Sequence, residues 1–353
     1  MYKGYKISVA MATYNGGLYI YEQLMSIIQQ TKKVDEIVIS DDGSADNTLN
    51  IINSIARENK ETSIIVLHNK NNHGPRGNFE NAIQNCSGDL IFLSDQDDIW
   101  YPEKVEKVIE VFSCNCDANL VCHNAVLVDK NGDQIEGTFN SRLMIDTSNS
   151  EKRVYKLERN KYLERAVSAP LINGMVLCMS NKLKAMILPF PKTYSSHDWW
   201  IMFVGVNNNT CYYLDEVLTK YRLHGKNTAG NKAYTGNIID KVSKGKKHVE
   251  FLKRNSIQTV EMYNMSLSME PLVDVNRDKD AYETVKKISD ISKSLLDIEA
   301  SNRFVACGKL LLLYKNNIRY RKSGRNAFLL ELAYVLLNSK RKRIDTICRM
   351  KSK

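Results

Sequence analysis

The sequence predicts an α/β protein: a mostly parallel sheet covered by helices, followed by a helical C-terminal region. Three observations predict it. Apolar runs of strand length alternate with segments of helical periodicity four times before residue 100. Each of those runs ends in a loop crowded with Gly, Asn or Asp. After Tyr234 the alternation stops, and the positive charge collects towards the C-terminus. Repeated strand–helix units make a parallel sheet with both faces covered, and they place ligand loops at the carboxyl ends of the strands.

The elements follow in order. Ile7–Ala12 is a strand running into Thr13-Tyr14-Asn15-Gly16-Gly17. Leu18–Gln30 is a helix with Ile20, Leu24, Ile27 and Ile28 at helical spacing. Glu36–Ser40 is a second strand, ending in Asp41-Asp42-Gly43-Ser44, and a helix spans roughly 45–59. Ser63–Leu67 is a third strand, with the polar loop His68–Gly77 and a helix near Asn78–Cys86 behind it. The apolar Leu90–Leu93 is a fourth, buried strand, and Pro102 reads as the first turn of a helix to Phe112. Val121–Lys130 and Gln134–Glu136 read as strands around Asn131-Gly132. Thr138–Arg153 reads as a mobile loop, Ile172–Met179 as a buried strand, His197–Val206 as a helix and Cys211–Arg222 as a strand. Long helices are expected over 236–270 and 278–300.

Composition bounds the function classes. The chain has 353 residues, 43% hydrophobic and 25% charged, enough for one large domain and an appendage. Its eight cysteines show no paired CxxC spacing, so reduced, buried thiols in a cytosolic protein are expected. No signal peptide is expected before the first strand, and no apolar run reaches the roughly 18 residues of a membrane span. Lys309–Lys353 carries thirteen Lys or Arg against Glu331 and Asp345, a balance of +11 in a chain of +10. The part before Lys309 is therefore close to −1.

The chemistry concentrates in Asp95-Gln96-Asp97-Asp98, where the fourth strand ends. Three carboxylates this close repel one another unless a cation neutralises them. Asp-x-Asp suits a hard divalent ion with oxygen ligands, Mg2+ or Mn2+, that keeps open positions for phosphate oxygens. Asp41 and Asp42 can accept hydrogen bonds from a base N–H and a ribose hydroxyl. Equally, Asp42-Gly43-Ser44 can be a turn, with Ser44 or Asp46 capping the next helix. Neither GxGxxG nor GxxxxGK[ST] occurs, which disfavours dinucleotide and P-loop folds.

Thr13-Tyr14-Asn15, Asp41-Asp42-Gly43-Ser44 with Thr48, and Asp95-x-Asp97-Asp98, in this order and spacing, resemble a family-2 glycosyltransferase over about residues 5–225. Leu93–Trp100 and Tyr221-Arg222-Leu223-His224-Gly225-x-Asn227-Thr228 resemble its bacterial rhamnosyltransferase-like branch, which builds O-antigen, capsule and other wall glycans. The resemblance implies a GT-A fold, a Rossmann-like mixed sheet with most strands parallel. Residues 1–235 would form the catalytic domain, with a nucleotide-binding half to about 130 and an acceptor half from 131. Residues 236–353 would be a helical, basic extension.

The resemblance also distributes roles. Thr13, Tyr14, Asn15, Asp41, Asp42, Asp95 and Gln96 would line the nucleotide site. Asp95, Asp97 and His224 would hold Mg2+ or Mn2+ on the diphosphate. Asp198 in His197-Asp198-Trp199-Trp200 maps onto the general base, although the family usually has an acid where His197 stands. Asp98, Trp100, His197, Trp199, Trp200, Arg222 and Lys226 would contact acceptor or phosphate. On the residues alone, Asp198 can instead favour a helix N-terminus, and one of the two tryptophans can be core. The Gln-x-x-Arg-Trp motif of processive synthases is absent, which favours transfer of a single sugar.

The expected reaction moves a sugar, rhamnose first, from a dTDP- or UDP-sugar to a glycan acceptor, lipid-linked. The apolar, basic tail is expected to lie on an anionic membrane surface, the inner face of the cell membrane, or else to cap the catalytic domain. Nucleic acid is not expected, because the tail lacks aromatic interleaving. Two rivals remain: a sugar nucleotidyltransferase, which lacks its glycine-rich loop here, and a catalytically silent, membrane-associated assembly protein on the same fold.

Overall fold

The computed structural model describes residues 4–70, 73–139, 143, 145, 152–168, 170–191, 196–224, 265–274, 276 and 278–300. Lys226, the basic tail Lys309–Lys353, residues 236–264 and most of the loop Thr138–Arg153 lie outside them. The chain divides into two compact units, Met1–Gly230 and Asn231–Lys353.

The first unit alternates as the sequence predicts: β1 (Ile7–Thr13), α1 (Ile20–Ile28), β2 (Glu36–Asp41), α2 (Thr48–Glu58), β3 (Ser63–His68), α3 (Pro75–Asn85) and β4 (Leu90–Ser94). There follow β5 (Ile99–Trp100), α4 (Lys104–Cys114), β6 (Leu120–Val128), β7 (Gln134–Thr138), β8 (Val154–Lys156) and α5 (Arg159–Ser168). The unit closes with β9 (Leu177–Ser180), α6 (Asn181–Ile187), α7 (His197–Asn207) and β10 (Cys211–Arg222).

One sheet runs in the order β3-β2-β1-β4-β9-β6-β10-β5, with β7 on β6 and β8 on β10. The four strands β3, β2, β1 and β4 are parallel. Strand β9 is antiparallel to both β4 and β6, and β10 returns parallel to β6. The sheet is therefore mixed but mostly parallel, an α/β architecture as expected.

Side-chain alternation builds the two layers. Ile7, Val9 and Met11 of β1 share a core with Ile20, Leu24 and Ile27 of α1, Ile52 and Ile55 of α2, and Val105, Val108 and Phe112 of α4. Burying each such side chain contributes about 1.5–3 kcal/mol. The opposite face carries small residues, and α3 packs there through Phe79, Ala82 and Ile83. It is also tied by Asn81 Nδ2, which donates to Ser40 Oγ.

Two expectations need correction. The buried run Ile172–Met179 is not one strand: a 3-10 turn spans Gly174–Val176, and only Leu177–Ser180 pairs. The turn gives Gly174 a close approach to α7 that a straight strand would not make. Helix α4 begins at Lys104 rather than Pro102, and Gln30 Oε1, just past the end of α1, accepts the Val105 N–H of its first turn. Of the cysteines, Cys86, Cys122, Cys178 and Cys211 are buried and free as expected, whereas Cys114 and Cys116 are exposed.

In the second unit, α8 (Lys279–Ala300) falls where a long helix was expected, with Ala281, Val285 and Ile288 buried. No helix among the described residues is long and apolar enough to cross a membrane.

Candidate active site

The carboxyl ends of β1, β2 and β4 bring three loops together, and side chains stitch them. Gln96 Oε1 accepts from Thr13 Oγ1 at 2.7 Å and from the Tyr14 N–H at 2.8 Å, while its Nε2 donates to Tyr14 O. Asn15, at φ +49°, accepts the Ala45 N–H and donates its own N–H to Ser44 Oγ. Asparagine tolerates that left-handed conformation. The effect is to present the Tyr14 ring, 56% exposed, at the rim.

The two aspartates of the second loop are spent on the loop itself. Buried Asp41 accepts the N–H groups of Gly43 and Ser44 and the Ser44 hydroxyl. Asp42 accepts from Asn69, from the Gly74 N–H, and lies 2.8 Å from His73 Nδ1. Asp41 thus shapes its own turn, and Asp42 ties that turn to the loop before α3. Asp46 holds the Gly17 N–H and the Thr48 N–H, so one of the alternatives for this loop, the helix-start role of Asp46, is present.

The carboxylates after β4 lie deeper. Oδ2 of Asp97 is 2.7 Å from Nε2 of His224. Asp98 is fully buried: Oδ1 accepts the Arg222 N–H, and Oδ2 has no partner among the described residues. Asp98 is held well above the usual carboxylate range by burial, then by Asp97 and Asp95. Asp95 is pushed up to about 7 by its low-polarity surroundings first, then by the charges of Asp97 and Asp198. Asp198, on the first turn of α7 and from the other half of the unit, thus lies within electrostatic reach of Asp95. Its Oδ1 accepts the Trp199 N–H and the Ser196 hydroxyl.

The donor types fit a divalent ion. Asp97 Oδ2 and His224 Nε2 are spaced like two neighbouring ligands, which lie about 3 Å apart when each is about 2.1 Å from a metal. Among the described residues, no three His, Cys, Asp or Glu side chains already converge as a metal cage. A Mg2+ ion in general takes one or two carboxylates and completes its shell with waters and phosphate oxygens.

Other expected contacts sit elsewhere. Arg222 is not placed to hold a phosphate: it is buried, and its Nε, NH1 and NH2 donate to Asp97 O, Lys130 O and Glu22 Oε2. Trp100 packs on Phe92 in the core, and Trp200 is buried with its Nε1 on Ile187 O. Trp199 is half-buried, tied to Ala166 O. His197 stacks on Phe79, and its buried Nε2 has no partner among the described residues.

Three residues near these carboxylates, Tyr19, Glu22 and Lys104, went unread in the sequence, and Tyr221 was read only as part of a motif. Tyr19 is clamped between the Arg222 guanidinium, 4.8 Å from its ring centre, and the His224 ring, 4.9 Å away. Glu22 balances Arg222. The phenol of Tyr221 is pushed up by burial and by all four carboxylates, Asp95, Asp98, Asp97 and Asp198. Buried Lys104 donates to Met175 O and Thr219 Oγ1. Its pKa is pushed down to about 7 by burial, against the pull of Asp98, Cys178 and Asp95. A lysine on the apolar stripe Val105-Val108-Phe112 was the available signal.

A family model described as glycosyl transferase family 2 matches residues 8–169. The dTDP-rhamnosyl transferase RfbG of Shigella flexneri is 32% identical over 234 residues, covering 62% of this chain and 73% of that protein. An uncharacterized glycosyltransferase of Haemophilus influenzae is 25% identical over 278 residues, 74% of this chain and 81% of that one. Among solved structures, S. aureus TarS 1-349 in complex with UDP-GlcNAc shares the fold at a TM-score of 0.53 and 18% identity, covering 93% of this chain and 91% of that chain.

Proposed function

The chain belongs to the family 2 glycosyl transferases and is a glycosyltransferase of the GT-A fold, and on that premise we propose that it moves a single rhamnose from dTDP-rhamnose to a hydroxyl of a lipid-linked glycan in building a cell-surface polysaccharide. The observation that carries the mechanism is the meeting of Asp198, on α7, with Asp95, at the end of β4. Asp198 lies near enough to Asp95 for its charge to help raise the Asp95 carboxyl. The name of the 32% identical relative supports dTDP-rhamnose as the first donor. UDP-hexoses are the second choice.

The donor base stacks on the exposed ring of Tyr14, in a loop held by Gln96 and Asn15. The diphosphate lies towards Asp95 and Asp97. Mg2+ or Mn2+ held by Asp97, Asp95 and His224 would supply the positive charge that stabilises the departing nucleoside diphosphate. Asp198 takes the proton of the acceptor hydroxyl as its oxygen attacks the anomeric carbon from the face opposite the diphosphate. The bond to the diphosphate breaks as the new glycosidic bond forms, which inverts the anomeric centre. Both bonds described for the Asp198 carboxylate fall on Oδ1, which leaves Oδ2 for the proton.

Asp198→Asn tests this. Its amide cannot take a proton, so release of dTDP from dTDP-rhamnose is expected to fall by about 10²-fold or more while dTDP binding persists. Turnover at the parent rate would remove Asp198 from the mechanism.

A further inference from the structure

Helix α7 begins without a side-chain cap. Ser196 turns its hydroxyl to the Asp198 carboxylate instead of to a free N–H of the helix. A helix start that lacks a cap forfeits about 1 kcal/mol and frays. Yet this first turn carries the acid whose placement matters most. Something else must hold it, and α3 is built to do so.

Arg76, Phe79 and Glu80 stand at i, i+3 and i+4, one face of α3. Two of them hold Phe190 and Pro191, and the third holds the first residue of α7. Arg76 NH1 donates to Pro191 O at 2.9 Å, and Glu80 Oε1 accepts the Phe190 N–H at 2.8 Å. The Phe79 ring stacks on His197 with centroids 4.0 Å apart and planes 26° apart. The Nε2 edge of His197 meets Gly174, where an added Cβ would lie 2.7 Å from His197 Nε2 and 3.7 Å from the Asp198 Cβ. His197 thus packs against both Phe79 and Gly174, next in sequence to the acid. The same helix is fixed to the nucleotide end: its leading Gly74 N–H donates to Asp42, and Asn78 Nδ2 donates to Thr13 O.

We propose that Phe79, Glu80 and His197 are positioning residues that set the Asp198 carboxylate against Asp95, with α3 as the rigid piece joining that seat to the nucleotide loops. The inference rests on Asp198 being the base. His197 acts here as a packed, neutral ring rather than as an acceptor contact.

Glu80→Ala removes the acceptor for the Phe190 N–H, whereas Glu80→Gln keeps an oxygen there. Hydrogen exchange of the Trp199 amide, which donates to Asp198 Oδ1, reads the seat without any substrate. In Glu80→Ala this amide should exchange at least tenfold faster, with α1 and α2 amides unchanged, and Glu80→Gln should match the parent. dTDP release from dTDP-rhamnose should fall at least fivefold in Glu80→Ala, with the Kd for dTDP within twofold, and should recover in Glu80→Gln. Phe79→Leu, which thins the stack, should repeat the pattern. Parent-like exchange at Trp199 in both Glu80→Ala and Phe79→Leu would overturn the seat. Equal damage in Glu80→Ala and Glu80→Gln would also overturn it, since charge rather than the hydrogen bond would then matter. Faster exchange with parent turnover would overturn the role of Asp198, and the inference with it.

Discussion

Arg222 shows best how one side chain can serve a site without touching a ligand. It places guanidinium N–H groups on two backbone carbonyls and on Glu22, and its own N–H on Asp98. Replacing it with Met strands those acceptors, so Arg222→Met should lower unfolding stability by about 3 kcal/mol in urea melts, less than for a fully buried pair because Glu22 keeps water. Unchanged stability with weaker dTDP binding would instead make Arg222 a phosphate contact. Gly16 makes a second, sharper test. A Cβ there would lie 2.3 Å from Gln96 Oε1, the atom that holds Thr13 and Tyr14. Gly16→Ala should therefore weaken dTDP binding about tenfold with little loss of stability; parent affinity would uncouple the Gln96 clamp from the nucleotide site. The Asp-x-Asp-Asp cluster was legible because three carboxylates within four residues repel one another unless something neutralises them, whereas Asp198 could be singled out only through the family resemblance, since an acid at a helix start is ordinary. Arg222 was not, because Glu22 is 200 positions away and no local pattern joins them.

Strands and helices were legible wherever burial decided them. The runs Ile7–Thr13, Glu36–Asp41 and Leu90–Ser94 are buried at every position but Ala12, as mainly apolar stretches flanked by turn residues predict. Where long-range contacts decide, the sequence misleads. The run after Ile172 is apolar enough for a strand, but Gly174–Val176 coils into a 3-10 turn against α7. Likewise α4 starts where Gln30, in the loop after α1, accepts the N–H of Val105. Close packing between elements also predicts a stability effect. Gly88 precedes β4, and a Cβ there would sit 2.7 Å from the Ser8 backbone N and 2.8 Å from Lys6 O. Backbone cannot yield as a side-chain tip can, so Gly88→Ala should cost about 1–3 kcal/mol in thermal melts by prising β4 from β1. A melt matching the parent would mean that β1 and β4 are less firmly joined than the hydrogen bonds among Ser8, Glu36, Ser87 and Gly88 indicate.

The first unit as a whole gathers four carboxylates at one end of its sheet, and its stability should record them. Asp95 sits near 7 in the folded chain against an ordinary 3.8. An acid that holds its proton more tightly when folded removes stability as pH rises through that window. Lys104, lowered from 10.5 to about 7, works the other way, but only above about 7. Chelator-treated protein should therefore lose about 2–4 °C of Tm between pH 5 and 7, and Asp95→Asn should flatten that slope. A flat parent profile would mean that the acids are not crowded in solution. The basic stretch Lys309–Lys353 belongs to the same test of the whole chain: its deletion should release the protein from anionic vesicles in a sedimentation assay, and unchanged binding would remove the membrane from the account. The most direct measurement is calorimetric titration of dTDP and UDP, with Mn2+ and with chelator, into the parent protein and Asp97→Ala. Binding of dTDP that needs Mn2+ in the parent and disappears in Asp97→Ala is the predicted result. No metal-dependent binding of either nucleotide, or the same binding in Asp97→Ala, would contradict the donor site proposed at Asp95 and Asp97.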